Sequence, residues 1–82
     1  MIVTVTQDHI DKGVRNDCTE CALALALRPH FSFTIPGVFD SCVVVLSGGQ
    51  LKYSDLPENA EIWLRKFDLG QEVEPFEFEL DI

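Results

Sequence analysis

The alternation of apolar and polar positions divides the chain into short blocks. "IVTVT" near the start alternates β-branched residues and predicts a first strand, with Ile2, Thr4 and Thr6 on one face. Thr6 suits the cap of a short helix over "QDHIDK", with Asp8 in its first turn and Gly13 closing it. In "NDCTECALALALRP", Asp17 with Glu20 three residues later is a capping-box pattern, and Ala and Leu are strong helix formers. Pro29 cannot sit inside a helix that continues past it, so a helix over 18–28 is predicted. Positions 21–27 are apolar on every side, which makes this the helix expected to be most buried.

Farther on, "FSFTI" alternates Phe31, Phe33 and Ile35 against Ser32 and Thr34 and predicts a half-buried strand, followed by a loop at "PGVFD". "SCVVVLS" is a continuous β-branched run, the pattern of a central strand. "GGQ" supplies the positive-φ positions of a tight turn, so "QLKYS" is expected to return as its hairpin partner. Pro57 fits the first position of another helix, in which Ala60, Trp63, Leu64 and Phe67 share one face and Gly70 marks the end. The last strand is predicted over 73–80, with Pro75 marking an edge or a bulge. Helices and strands do not alternate regularly. The expected fold is therefore α+β: one small domain, 1–82, with a mostly antiparallel sheet of about four to five strands packed against two main helices.

Composition agrees with a packed globule. The chain has 82 residues, 46% of them apolar, including six Phe and a single Trp. That is enough apolar surface to offset the ordering entropy that keeps disordered chains open. Six basic residues face fourteen acidic ones, for a formal net charge of −8. Such a surface repels nucleic acid and anionic lipid, which need Lys and Arg against their phosphates, and it attracts basic proteins. "MIVTVTQDHI" has neither the basic nor the apolar region of a signal peptide, and no apolar run is long enough to span a bilayer. Three cysteines, an odd number, do not suit a secreted disulfide framework. The expected setting is the cytoplasm.

Catalytic chemistry is not declared. Cys18 and Cys21 have the C-x-x-C spacing that binds zinc or cycles through a disulfide, with His9, His30 and Cys42 as further candidate ligands. A structural zinc needs four convergent ligands, no second such pair occurs, and Glu20 between the cysteines opposes a thiolate. Packing explains the pair better, with Cys21 in the core and Cys18 in the first turn. Ser47 before two glycines belongs to no nucleophile-elbow or phosphate-loop pattern. Fourteen acids always offer some pair at glycosidase spacing, which is weak evidence for such an activity. No metal, cofactor or catalytic residue is expected.

The acids are more telling. Asp68, Glu72, Glu74, Glu77, Glu79 and Asp81 crowd the last fifteen residues, where no Lys, Arg or His occurs. Along a strand, alternate residues stand about 6.6 Å apart on one face, so Glu77, Glu79 and Asp81 form a regular row of charge. That spacing is comparable to successive phosphates of a nucleic-acid strand. Glu58 and Glu61 on the preceding helix are expected to add to it. A charged edge strand also resists aggregation, and that duty alone would explain the row.

Three stretches carry a resemblance: "DHIDKGVRNDCTECALALALR", "FDLGQEVEPF" and "FEFEL". Together they resemble a family of small proteins encoded by bacteriophages and prophages. Its members pair a His-Ile…Gly…Cys-x-x-Cys/Ala-Leu-Ala-Leu half with a Phe-Asp-x-Gly…Val-x-Pro-Phe-x-Phe-x-Leu tail. The resemblance covers about half of the chain, at its two ends, and leaves out residues 29–56. It implies a non-enzymatic inhibitor of a host nuclease or defence complex, of the anti-CRISPR type, acting as a DNA mimic. The basic nucleic-acid groove of the host effector would be its partner, and the protein would work as a monomer or homodimer. A zinc or thiol protein built on Cys18 and Cys21, or a self-associating structural component, are the other expectations.

Overall fold

The computed structural model describes residues 1–31, 34–39 and 41–81, with only the backbone of Ser47. In chain order it contains β1 (Ile2–Val5), α1 (Gln7–Lys12), α2 (Ala22–Leu27), β2 (Gly37–Val38), β3 (Cys42–Ser47), β4 (Gln50–Asp55), α3 (Glu58–Asp68) and β5 (Phe76–Glu79). A 3-10 turn over Arg28–His30 follows α2. The fold is α+β, and its radius of gyration, 11.6 Å, is that of one compact domain of this length, about 12 Å.

All strand pairings are antiparallel, but the strands form two sheets instead of one: β1 with β5, and β2-β3-β4. Where the two sheets approach, the Ser54 hydroxyl donates to the Asp81 carbonyl at 2.8 Å. The inward faces supply Val3, Val5, Phe78, Val38, Val43 and Val45 to one core, which Leu23 and Leu27 of α2 complete. Every residue of α2 except Leu25 is fully buried, as expected of a helix apolar on all sides.

Local signals explain most element ends. The Thr6 hydroxyl accepts from the His9 backbone N–H at 3.4 Å, while His9 Nδ1 accepts from the Thr6 N–H at 3.0 Å. Histidine thus takes the role that Glu or Gln has in the usual capping box. Gly48 and Gly49 have φ of 58° and 78°, the geometry of a two-residue hairpin turn that favours glycine. At the end of α3, Gly70 has φ of 78°. Its N–H donates to Phe67 and that of Gln71 donates to Lys66, which closes a Schellman motif.

Several expectations change. The helix predicted over 18–28 begins at Ala22, because Asp17 caps a separate turn. Asp17 Oδ1 accepts from the backbone N–H groups of Thr19 and Glu20 at 3.0 and 3.1 Å. Cys21, extended at ψ 166°, then caps the helix with its own sulfur, which accepts from Ala24 N–H at 3.4 Å. Of "FSFTI", Ser32 and Phe33 lie outside the described residues, and Phe31, Thr34 and Ile35 belong to no strand. The next segment, expected as a loop, supplies β2 instead. Buried Pro36 leads into it, and the Val38 N–H donates to the Cys18 carbonyl at 2.7 Å. Pro57 stands at the cap of α3, one residue before its first turn. Strand β5 starts only after Pro75, which has no N–H for a ladder.

Gly13 closes α1 as predicted, its N–H donating to the His9 carbonyl at 2.9 Å, and it also lies tight against α2. Its φ is −66°, open to any residue, but an added Cβ would lie 2.7 Å from the Ala22 nitrogen and 2.9 Å from the His9 carbonyl oxygen. Both are backbone atoms, so α1 and α2 would have to separate. Gly13→Ala is expected to destabilise the domain by about 1–3 kcal/mol, lowering its thermal midpoint by roughly 4–8 °C per kcal/mol. Calorimetry checks this.

Candidate binding face of the two-stranded sheet

The register of β1 on β5 pairs Ile2 with Glu79, Val3 with Phe78, Thr4 with Glu77 and Val5 with Phe76. Opposed residues in an antiparallel pair share a face. Val3, Val5 and Phe78 are therefore buried together, and Ile2, Thr4, Glu77 and Glu79 are exposed together. Ile2 keeps 52% of its surface in water. The inner side packs against α2, which lies along β1, and against the aromatic rings of α3. The Trp63 ring stacks on Phe67 and Phe76 at centroid separations of 5.6 and 4.8 Å, and Phe76 stacks on Phe78 at 5.6 Å. Trp63 Nε1–H donates to the Glu74 carbonyl at 2.8 Å, tying the irregular segment before β5 to the helix.

The outer face is thus a row of carboxylates beside Thr4 and an exposed Ile2. Glu77 and Glu79 stand about 6.6 Å apart by strand geometry. Asp81 continues the chain, exposed, just past the strand. The Met1 ammonium donates to the Leu80 carbonyl at 2.7 Å at the edge of this face. Among the described residues, the ion pairs are Lys12–Asp8, Arg28–Glu20 and Arg65–Glu61. None of them engages Glu77, Glu79 or Asp81.

The other expected site residues are dispersed. The acids of α3 lie on a separate element, which meets the sheet through Trp63 stacked on Phe76. Glu58 is exposed at the start of α3, and Glu61 is half-buried and pairs with Arg65 at 3.6 Å. Asp68 has a structural duty. Its carboxylate accepts from the Asn16 N–H at 3.0 Å and its carbonyl accepts from Asn16 Nδ2 at 3.3 Å. Asn16 itself holds a left-handed φ of 59°, so this clip secures a strained turn. Glu72 and Glu74 are exposed on the irregular connection that enters β5. Ile2 and Thr4 belong to the face although they were not expected to contribute to it. The signal for them was the alternation of "IVTVT".

The cysteines separate by environment. Cys18 is exposed, Cys42 is half-buried, and Cys21 keeps 2% of its surface. Cys18 and Cys21 line one cleft of about 240 Å³ with Asn16, Asp17 and Phe39. Among the described residues, no group of three or more His, Cys, Asp and Glu is arranged to hold a metal ion. Burial pushes the Cys21 thiol up to about 11, despite the opposing backbone N–H donors of Ala24 and Leu23. An unfolded chain would release that proton near the thiol's ordinary 9.0. The contribution of this group to stability should therefore be level below pH 9 and decline as pH rises from 9 towards 11, by on the order of 2 kcal/mol. Cys21→Ala should flatten the decline in urea titrations across that window.

No helix among the described residues is long and apolar enough to cross a membrane. No family model, curated protein or solved structure matches the chain.

Proposed function

We propose that the protein is a non-enzymatic, phage-type inhibitor whose β1–β5 outer face occupies the basic nucleic-acid groove of a host defence effector. The effector class is a CRISPR-type complex, and the protein acts there as a DNA mimic. One observation carries the reading. Glu77 and Glu79 project from a rigid, helix-backed sheet at regular spacing, have no ion-pair partner among the described residues, and border exposed Ile2.

Each part has a physical role. The net charge of −8 raises the encounter rate with a basic groove, and pairing of the row with Arg and Lys sets register. Ile2 offers the apolar anchor that slows dissociation. The stacked Trp63–Phe76–Phe78 layer packs the side of β5 opposite the carboxylates. Glu72, Glu74 and Asp81 would contact the rim of the groove.

Capture from a lysate of bacteria carrying CRISPR effector complexes tests this, using the protein and its Glu77→Lys/Glu79→Lys variant as baits. The parent should retain a nucleic-acid-binding complex that rising salt releases, and the variant should retain none. Equal retention on both baits would remove the face from the account.

A further inference from the structure

The second sheet turns a face of opposite character to solvent. The pairs Val44–Tyr53 and Leu46–Leu51 set these four side chains on one side of the β3–β4 hairpin. Val43 and Val45 point the other way, into the core. Leu46, Leu51 and Tyr53 are 53%, 58% and 67% exposed, and Val44 is half-buried. On the neighbouring strand, Gly37 pairs with Val44. A Cβ at Gly37 would lie 3.3 Å from the Phe39 ring, so that ring covers the glycine. Phe39, 48% exposed, thereby extends the apolar face across all three strands.

We propose that this face joins two copies of the chain, sheet against sheet about a twofold axis. Area, charge and shape select a second copy as the occupant. The five side chains offer on the order of 500 Å² of exposed apolar surface, at the upper end for a patch on a monomeric protein. Two copies together would bury about 1,000 Å² before any polar rim is counted, which reaches the lower bound for a specific interface.

With −8 on each copy, approach is repelled wherever carboxylates gather, and the β1–β5 sheet is such a place. Phe39, Val44, Leu46, Leu51 and Tyr53 include no ionised side chain, and Asp55, an exposed acid on this same side, stands opposite Cys42 at the end of the hairpin away from Leu46 and Leu51. Two copies that meet over Leu46, Leu51 and Tyr53 keep Asp55 at the margin of the contact, while a basic partner is drawn to the other sheet. An isologous contact also needs only one patch to complement itself, and antiparallel sheets pack face to face at about 10 Å with interleaved side chains.

Sedimentation equilibrium of the full chain, from about 1 to 500 µM, tests the pairing, a range that resolves constants typical of modest interfaces. The parent should reach twice its 9.2 kDa mass, and the dimer should hold or tighten as salt screens the −8 charges. Leu46→Gln with Leu51→Gln leaves the net charge unchanged and removes two apolar contacts from each copy. Its dissociation constant should rise at least about 100-fold. Tyr53→Gln alone gives a smaller rise in the same direction, and circular dichroism of both variants should match the parent. The proposal is overturned by a parent that stays at monomer mass to about 500 µM, by a double variant that pairs like the parent, or by a dimer that salt dissociates.

Discussion

Trp63→Ala is expected to remove about 3–5 kcal/mol of stability, the usual cost of truncating a buried aromatic ring. The fraction is large, because a domain of this size is stable by only roughly 4–12 kcal/mol. Trp63 is the centre of the layer behind β5, stacked between Phe67 and Phe76. It is also the donor to the Glu74 carbonyl. Truncation opens a cavity and leaves that carbonyl without its partner. Trp63→Phe should keep most of the ring contact and lose the N–H, at about 1–2 kcal/mol. Urea unfolding followed by circular dichroism is the measurement, since the variants lack the only Trp. A loss below about 1 kcal/mol for Trp63→Ala would mean the aromatic layer does not hold the sheet.

The second large effect concerns binding. Glu77→Lys with Glu79→Lys should weaken the partner complex by about 1,000-fold or more. Close interfacial charge pairs couple by roughly 1.5–7 kcal/mol, and reversal replaces two attractions with two repulsions. The fold should be unaffected within about 0.5 kcal/mol, since both side chains point outward opposite Ile2 and Thr4. The matched control is Glu58→Lys with Glu61→Lys, the same charge change on α3. Affinity for the partner should fall by less than about tenfold there, because only long-range steering is altered. If both reversals weaken binding equally, net charge governs the interaction and the row has no special part.

Much of this was legible from short-range pattern. The alternation in "FEFEL" turns Phe76, Phe78 and Leu80 to the core, where Phe78 and Leu80 are buried and Phe76 half-buried, and Ala60, Trp63, Leu64 and Phe67 were readable as one buried stripe. Paired glycines at 48 and 49 announced the hairpin. These signals lie within a few residues of what they specify. The start of α2 was not readable, because an Asp three residues before Glu caps an isolated turn as well as a helix. A cysteine sulfur acting as the true cap has no common pattern. Phe31, Thr34 and Ile35 fit the alternation of a strand, yet alternation alone does not supply a neighbour to pair with. The split into two sheets has the same origin, since sequence spacing does not say which strands adjoin. For the site, alternation separated Glu77 and Glu79 from the core. It could not show that Trp63 of α3 stacks on Phe76 behind their strand, nor that Asp68 is engaged by Asn16, 52 residues away.

The most direct measurement of the DNA-mimic reading is competition. A CRISPR effector complex bound to a fluorescent target duplex is titrated with the protein at low salt, and anisotropy reports release. The parent should displace the duplex fully, and Glu77→Lys/Glu79→Lys should displace none. A ternary complex in which the effector holds both the duplex and this protein would contradict that reading.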